Sequence, residues 1–126
     1  MDDDAARALV RRWWDIWGDG DLDLVDEVCA DPYIRHTGMG SERLSHEEYK
    51  KKLVQTLRVL RGAVTTIDDE VVVGDKVWSR ATSRGVNLDA EHGQVMTWMV
   101  IHRVEDGRLA EVWAATLAGV EWESPA

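Results

Sequence analysis

The sequence contains no phenylalanine, one cysteine and only two prolines among its 126 residues. The single cysteine, Cys29, cannot form a disulfide within the chain, so we expect it to be a small buried residue. No apolar run approaches the ~18 residues of a membrane-spanning helix. The first residues are acidic, whereas a secretory signal would carry positive charge there. We therefore expect a cytoplasmic protein that does not enter a membrane.

Positive charge is also scarce, because 15 Lys and Arg stand against 24 Asp and Glu, for a net charge of −9. Nucleic acids and anionic membranes are bound through positive charge, so we expect neither as a partner. The length is typical of one domain, which we place over residues 1–126. The sequence has no metal-ligand spacing of histidines, no phosphate-binding loop and no nucleophile elbow, so no metal or cofactor is expected.

Tryptophan, in contrast, is abundant, with seven residues. Four of them, at positions 13, 17, 98 and 113, are placed where they can face a common interior. An indole N–H needs a hydrogen-bond partner when it is buried, which makes tryptophan well suited to the wall of a cavity. A simple packed core explains the same residues equally well, and both interpretations stay open at this point.

Helical periodicity predicts three helices in the first half of the chain. The first has apolar residues at helical spacing and ends at Gly18-Asp19-Gly20. A second begins at Asp21 and would include Cys29. A third begins at Ser45, where Glu48 completes a capping box, and ends at Gly62. The stripe of the first helix consists of Ala6, Leu9, Val10, Trp13, Trp14 and Trp17.

Four strands are predicted in the second half, near residues 63–73, 76–87, 94–105 and 108–117. Gly74-Asp75 and Asp106-Gly107 are typical two-residue hairpin turns, and Leu88 to Gly93 forms a longer connection. Helices followed by an antiparallel meander predict an α+β fold in which the three helices pack on the concave face of a curved antiparallel sheet.

The third of these strands predicts a dimer. One of its faces carries Met96, Trp98, Val100 and His102, and the other carries Thr97, Met99 and Ile101. Both faces are mostly apolar, as in a strand covered on both sides. The helices can cover only one face, so we expect the convex face to meet a second copy of the chain. Trp78 would join that interface, with Arg80 and Arg84 at its rim.

Two segments together carry a family resemblance. The segment ALVRRWWDIWGDGDLDLVDEVCADPYIRH runs from Ala8 to His36, and HRVEDGRLAEVW lies near the C-terminus. The chain resembles the SnoaL-like polyketide cyclases of the nuclear transport factor 2-like superfamily, roughly from Ala5 to Gly119. The resemblance implies a cone-shaped roll with an internal pocket for a hydrophobic small molecule.

The resemblance also implies that the acidic catalytic groups of known relatives are replaced. Trp13, Thr37 and Val100 stand at the three acting positions of the ketosteroid isomerases. Ala115 stands at the final-strand Asp of limonene-epoxide hydrolases, and Leu117 at the acid/base Asp of SnoaL-like cyclases. The mechanisms of these relatives are therefore not expected here.

Histidine is the remaining candidate for proton transfer near neutral pH. SnoaL-like proteins often carry a pocket-facing histidine where this chain has His36, and His102 shares a strand face with Trp98. We expect His46 and His92 to face solvent. The predicted catalytic residues are His36, His102 and Arg35. The predicted ligand-binding residues are Trp13, Trp17, Tyr33, Met96, Trp98, Val100, Trp113, Ala115 and Leu117.

Two functional hypotheses follow. In the first, the protein is a cofactor-free cyclase, isomerase or hydrolase acting on a polyketide- or terpenoid-like molecule. His36 would be its acid/base, and His102 or Arg35 would stabilise an oxyanion. In the alternative, the pocket binds a hydrophobic small molecule without catalysis, because the acidic residues of the relatives are absent. The fold does not decide between an enzyme and a binding domain.

Overall fold

Helices and strands follow one another in the predicted order in the computed structural model, which describes residues 1–88 and 93–122. The helices are α1 (Asp3–Asp19), α2 (Leu24–Val28) and α3 (His46–Leu60). The strands are β1 (Cys29–Thr37), β2 (Gly40–Leu44), β3 (Val64–Val73), β4 (Lys76–Arg84), β5 (Val95–Glu105) and β6 (Arg108–Ala118). None of the helices in the described residues combines the length and the hydropathy needed to cross a bilayer.

The six strands form one curved sheet in the order β2-β1-β6-β5-β4-β3. Helices α1 and α3 pack against one side of it, which we call the helix-covered face, and we call the other side the open face. The predicted α+β fold is confirmed. One pairing differs from the antiparallel prediction, because β1 and β6 are parallel, with His36 opposite Trp113. The long intervening chain, which includes α3, gives β6 room to return in the direction of β1.

Helix α1 has defined signals at both ends. The side chain of Asp2 accepts a hydrogen bond from the Ala5 N–H at 2.7 Å. Gly20 adopts a left-handed conformation (φ 70°) that lets its N–H reach the Ile16 carbonyl, a C-cap that glycine adopts at little steric cost. Between these ends, the predicted stripe is buried together with Ile16.

The other two helices confirm one prediction and correct another. Ser45 and Glu48 form the predicted capping box at the start of α3. Helix α2 is shorter than expected, because Asp21 accepts a hydrogen bond from the Asp23 N–H at 3.1 Å in the preceding turn. Cys29 lies just beyond α2, as the first residue of β1, and is fully buried.

The four predicted strands are present, with ends within three residues of those expected. Both hairpins are confirmed, and the positive φ angles of Asp106 (51°) and Gly107 (75°) are those of a type I′ turn. The predicted connection from Leu88 to Gly93 falls largely outside the described residues, and so does His92. Strand β2 was not predicted, because its sequence GSERL is mostly polar and lacks the alternation of a half-buried strand.

A β-bulge changes the register of each of the two hairpins β3–β4 and β5–β6. In the β5–β6 hairpin, Val104 pairs with Leu109 but Arg103 pairs with Glu111, so Ala110 is an extra residue on β6. In the β3–β4 hairpin, Ile67 pairs with Ala81 and Asp69 with Arg80, so Asp68 is the extra residue on edge strand β3. An inserted residue sends every later side chain of the strand to the opposite face.

Candidate functional site

Aromatic rings fill the space between α1 and the sheet. Trp13 lies at the centre, with its ring centroid 4.9 Å from Trp14, 5.7 Å from Trp17, 6.4 Å from Trp98 and 4.4 Å from His102. Most of these pairs meet edge to face, which is the favourable geometry for aromatic rings. Tyr33 and Tyr49, with centroids 5.0 Å apart, pack between β1 and α3. We call this buried set the aromatic interior: Trp13, Trp14, Trp17, Trp98, His102, Tyr33 and Tyr49.

The aromatic interior holds polar atoms without partners. Among the described residues, no partner at hydrogen-bonding geometry is found for the indole nitrogens of Trp13, Trp14 and Trp17, for the two tyrosyl hydroxyls, or for either ring nitrogen of His102, although the Trp13 indole lies near both hydroxyls. Trp98 differs, because its indole N–H donates to the Ser83 hydroxyl at 2.9 Å. A buried polar group left without a partner costs about 1–3 kcal/mol. Each of these atoms lowers the stability of the fold unless a ligand or a buried water supplies its partner.

Burial determines the charge state of His102. The side chain is fully buried, and desolvation lowers its pKa from 6.5 to about 3. At neutral pH the imidazole is uncharged, with one nitrogen that donates and one that accepts a hydrogen bond. His102 can thus donate to a carbonyl or enolate oxygen, but it is a poor proton acceptor.

The tyrosine side of the aromatic interior is bordered by Arg35. Its guanidinium lies 4.8 Å from the centroid of the Tyr49 ring and 3.2 Å from the Glu42 carboxylate. Burial raises the pKa of both Tyr33 and Tyr49 above the ordinary value, so both hydroxyls stay protonated. Burial also raises the pKa of Cys29 to about 12, which excludes a reactive thiolate at neutral pH.

The open face carries a second concave region. A groove of about 590 Å³ is lined by apolar side chains from β3, β4, β5 and β6 and by His36 at one end. The His36 ring stacks on Trp113, with centroids 5.2 Å apart and planes 12° from parallel. Its Nε2 lies 2.6 Å from a Glu111 carboxylate oxygen, and its Nδ1 lies 2.7 Å from the Ser41 hydroxyl. The apolar residues include Val71, Trp78, Met99, Ile101 and Trp113.

The structure divides the predicted site residues between the two faces. Trp13, Trp17, Tyr33, Met96, Trp98, Val100 and His102 lie on the helix-covered face. His36, Trp113, Ala115 and Leu117 lie on the open face, so the prediction of one shared pocket is wrong. The bulge at Ala110 is the reason. Without it, Trp113 would pair with Val100; with it, Trp113 pairs with Ile101.

His46 also differs from its prediction. Its ring nitrogens contact the Asp26 carboxylate at 3.1 Å and the carbonyl oxygens of Cys29 and Ala30 at 2.9 and 3.0 Å. Its side chain is only 16% exposed, so His46 fastens the start of α3 to the α2–β1 junction instead of facing solvent. In the sequence, a histidine followed by two glutamates at the start of a helix does not indicate these contacts, because their partners lie far away along the chain.

A smaller groove leads toward the aromatic interior from the ends of the helices. It has a volume of about 390 Å³ and lies between the C-terminal ends of α1 and α3. Trp17 belongs both to this groove and to the aromatic interior. The other lining residues are Gly18, Asp19, Gly20, Leu22, Val54, Leu57, Arg58, Arg61 and Gly62.

Across residues 1–88 and 93–122, no three His, Cys, Asp or Glu side chains converge in a metal-binding arrangement.

Comparison with known proteins assigns the fold to a family. The sequence model that defines the SnoaL-like domain family matches residues 10–112 of this chain. The chain belongs to the SnoaL-like domain family. No curated protein matches it in sequence.

Solved structures with the same fold are distant in sequence. IdmH of Streptomyces antibioticus, a proposed polyketide cyclase, is 21% identical over 87% of this chain and 90% of its own, with a TM-score of 0.69. TsrD of Streptomyces laurentii is 22% identical over 92% and 90%, with a TM-score of 0.72. A SnoaL-like protein of unknown function from Burkholderia thailandensis is 16% identical over 94% and 99%, with a TM-score of 0.74. At these identities the likeness extends to the fold alone.

The buried, neutral His102 predicts an acid-sensitive fold. The unfolded chain takes up a proton at this residue below about pH 6.5, whereas the folded chain does so only near pH 3. The His102 contribution to stability is therefore complete above pH 6.5 and is lost as the pH falls toward 3, by at most about 1.4 kcal/mol per pH unit. Urea unfolding of the wild type and of His102→Leu, measured between pH 7 and pH 4, should show a smaller acid-induced loss in the variant. Equal losses would contradict the buried neutral state.

Proposed function

We propose that the protein binds a hydrophobic, ring-containing small molecule in its aromatic interior. The observation that supports this most directly is the set of unpartnered polar atoms among packed aromatic rings. The indole N–H groups of Trp13, Trp14 and Trp17 can only donate, so their natural complement is a ligand with oxygen acceptors. Oxygenated polyketide- or terpenoid-like molecules combine such acceptors with a large apolar surface.

The groove between the ends of α1 and α3 supports a route of entry. Trp17 is only 6% exposed, yet it lines this groove and its ring lies 5.4 Å from Trp98. A rotation of the Trp17 side chain would connect the groove with the rings behind it. In this proposal the groove holds the apolar rings of the ligand, and Trp17 moves aside so that the polar end of the ligand reaches Trp13 and His102.

The ligand class can be tested with 9-fluorenone and fluorene, which share a tricyclic shape and differ in one carbonyl oxygen. We expect fluorenone to bind about tenfold more tightly, since one net hydrogen bond contributes about 1 kcal/mol or slightly more. Titration monitored by tryptophan fluorescence and calorimetry gives the two affinities. Trp13→Phe keeps the ring and removes the donor, so it should reduce the preference for fluorenone while fluorene binding persists.

Trp78→Phe on the open face is the matched control for this experiment, and it should leave both affinities unchanged. If neither compound binds, the interior ligand proposal is wrong. If Trp78→Phe alone abolishes binding, the ligand lies in the open-face groove instead.

A cofactor-free cyclase or isomerase is the second candidate function, and the neutral His102 favours it. An uncharged imidazole N–H in a dry site can donate to an oxyanion that develops on a bound ketone, and such a donor typically contributes about 10²-fold or more in rate. Arg35 borders the same interior through Tyr49. His36 does not belong to this site, because it lies on the opposite face of the sheet.

Catalysis by His102 predicts faster enolisation of a bound ketone. For 2-tetralone in D₂O, a buffer base such as phosphate would remove a proton next to the carbonyl while the His102 N–H stabilises the enolate oxygen, and solvent would return a deuteron to carbon. Wild-type protein should accelerate this exchange, and His102→Leu should reduce that acceleration by about 10²-fold. Proton NMR follows the exchange. Tetralone binding without faster exchange would assign the protein to the non-catalytic alternative.

We also propose that a second copy of the chain covers the part of the open face around Met99 on β5. Trp78, Met99 and Leu117 are 48%, 52% and 52% exposed there and lie close to one another across β4, β5 and β6. A contiguous apolar patch of this kind is typical of an interaction surface. The half-buried Arg80 lines the same groove, as a rim residue would.

Sedimentation at micromolar concentration should therefore give a homodimer. Met99→Asp places a charge at the centre of the patch and should give a monomer. Val54→Asp, at an equally exposed position on α3, should remain dimeric. A monomeric wild type would contradict this proposal and leave interior binding untouched.

A further inference from the structure

We propose that Ser41, His36 and Glu111 form a nucleophilic relay on the open face, which hydrolyses activated carboxylic esters. This activity would be separate from ligand binding in the aromatic interior, since the sheet lies between the two sites. The proposal depends on the contacts of three side chains that come from three neighbouring strands.

The register of the sheet brings these side chains into line. His36 on β1 pairs directly with Ser41 on β2, so both side chains project from the open face. Glu111 on β6 projects from the same face, because it follows the bulge at Ala110. The distances are 2.7 Å from Ser41 Oγ to His36 Nδ1 and 2.6 Å from His36 Nε2 to the Glu111 carboxylate. These are the contacts that an activated serine requires.

Glu111 determines which nitrogen of His36 carries the proton. Burial acts to raise the pKa of Glu111, but hydrogen bonds from His36 and from Arg103 Nε, the latter at 3.0 Å, hold it below its ordinary value. The ionised carboxylate can only accept, so the Nε2–H of His36 donates to it. The lone pair of Nδ1 is then directed at Ser41, whose hydroxyl donates. Stacking on Trp113 holds the ring in this orientation.

The reaction follows from this arrangement. Ser41 Oγ attacks the ester carbonyl carbon while its proton passes to His36 Nδ1, and Glu111 stabilises the imidazolium. The tetrahedral intermediate expels the aryl oxide, which takes that proton and leaves as a phenol. Water then attacks the acyl-serine and gives a proton to Nδ1, and that proton returns to Ser41 Oγ as the carboxylic acid leaves. The sum is ester and water giving acid and phenol.

One end of the open-face groove lies beside the proposed nucleophile. His36, Thr37, Gly38 and Trp113 form one end of it, next to Ser41. Ser41 is exposed on β2, three strands away from Met99 on β5, which is roughly 14 Å at the usual strand spacing. A dimer centred on β4 and β5 would leave this end accessible. We restrict the proposal to aryl esters, whose leaving groups need little assistance.

The test uses the full chain with 4-nitrophenyl acetate. We expect release of nitrophenolate with an initial burst, and an acetyl group that peptide mass spectrometry locates on Ser41. Ser41→Ala should abolish the burst and reduce turnover by about 10²-fold or more, as should His36→Gln. Ser41→Cys keeps a nucleophile at the position and should still be acetylated.

Thr56→Ala, which removes an exposed hydroxyl on α3, is the control and should match the wild type. Circular dichroism establishes that each variant is folded. An imidazole alone can cleave nitrophenyl esters, so the Ser41→Ala result is decisive. If that variant keeps the wild-type rate, or if the acetyl group is found on another residue, the relay is wrong.

Discussion

One extra residue in β6 determines which face of the sheet carries Glu111 and Trp113. Because Ala110 is inserted opposite the Val104–Arg103 step, Glu111, Trp113 and every alternate residue after them project from the open face. The same shift places Val112 and Ala114 beside the helices. Their small side chains leave room there for the large rings of α1. The His36–Trp113 stack and the small residues opposite the rings of α1 are thus two results of a single register change.

Features encoded by neighbouring residues were predictable. The stripe of α1, the Ser45–Glu48 capping box and the Asp106-Gly107 turn each depend on residues within a few positions of one another, and each is present. The faces of Met96, Trp98 and His102 follow in the same way from alternation within one strand. The bulge has no such local signal, because Ala110 is neither a glycine nor a turn residue. A missed bulge shifts the pairing of every later residue in the strand. The predicted bounds of β6 are therefore correct, but Trp113, Ala115 and Leu117 lie on the face opposite to the predicted one.

The two candidate sites differ in the state of their polar groups. On the open face, each nitrogen of His36 has a partner, and Glu111 has two. In the aromatic interior, His102 has none, although it is more deeply buried. A folded protein tolerates only a few such unsatisfied groups, because each consumes an appreciable part of a stability of about 5–15 kcal/mol. The aromatic interior therefore has a cost in stability that the paired groups of the open face do not have.

The bulge at Asp68 has a different consequence, at the outer edge of the sheet. Strand β3 is long, and its exposed positions include Val64, Val71 and Val73, so its free backbone groups could recruit a strand from another molecule. The inserted Asp68, whose carboxylate accepts from the Thr82 hydroxyl, interrupts the ladder midway. With Asp69 beside it, a docking strand would meet two negative charges and a local kink. Polymerisation through the β3 edge of the sheet is thereby disfavoured.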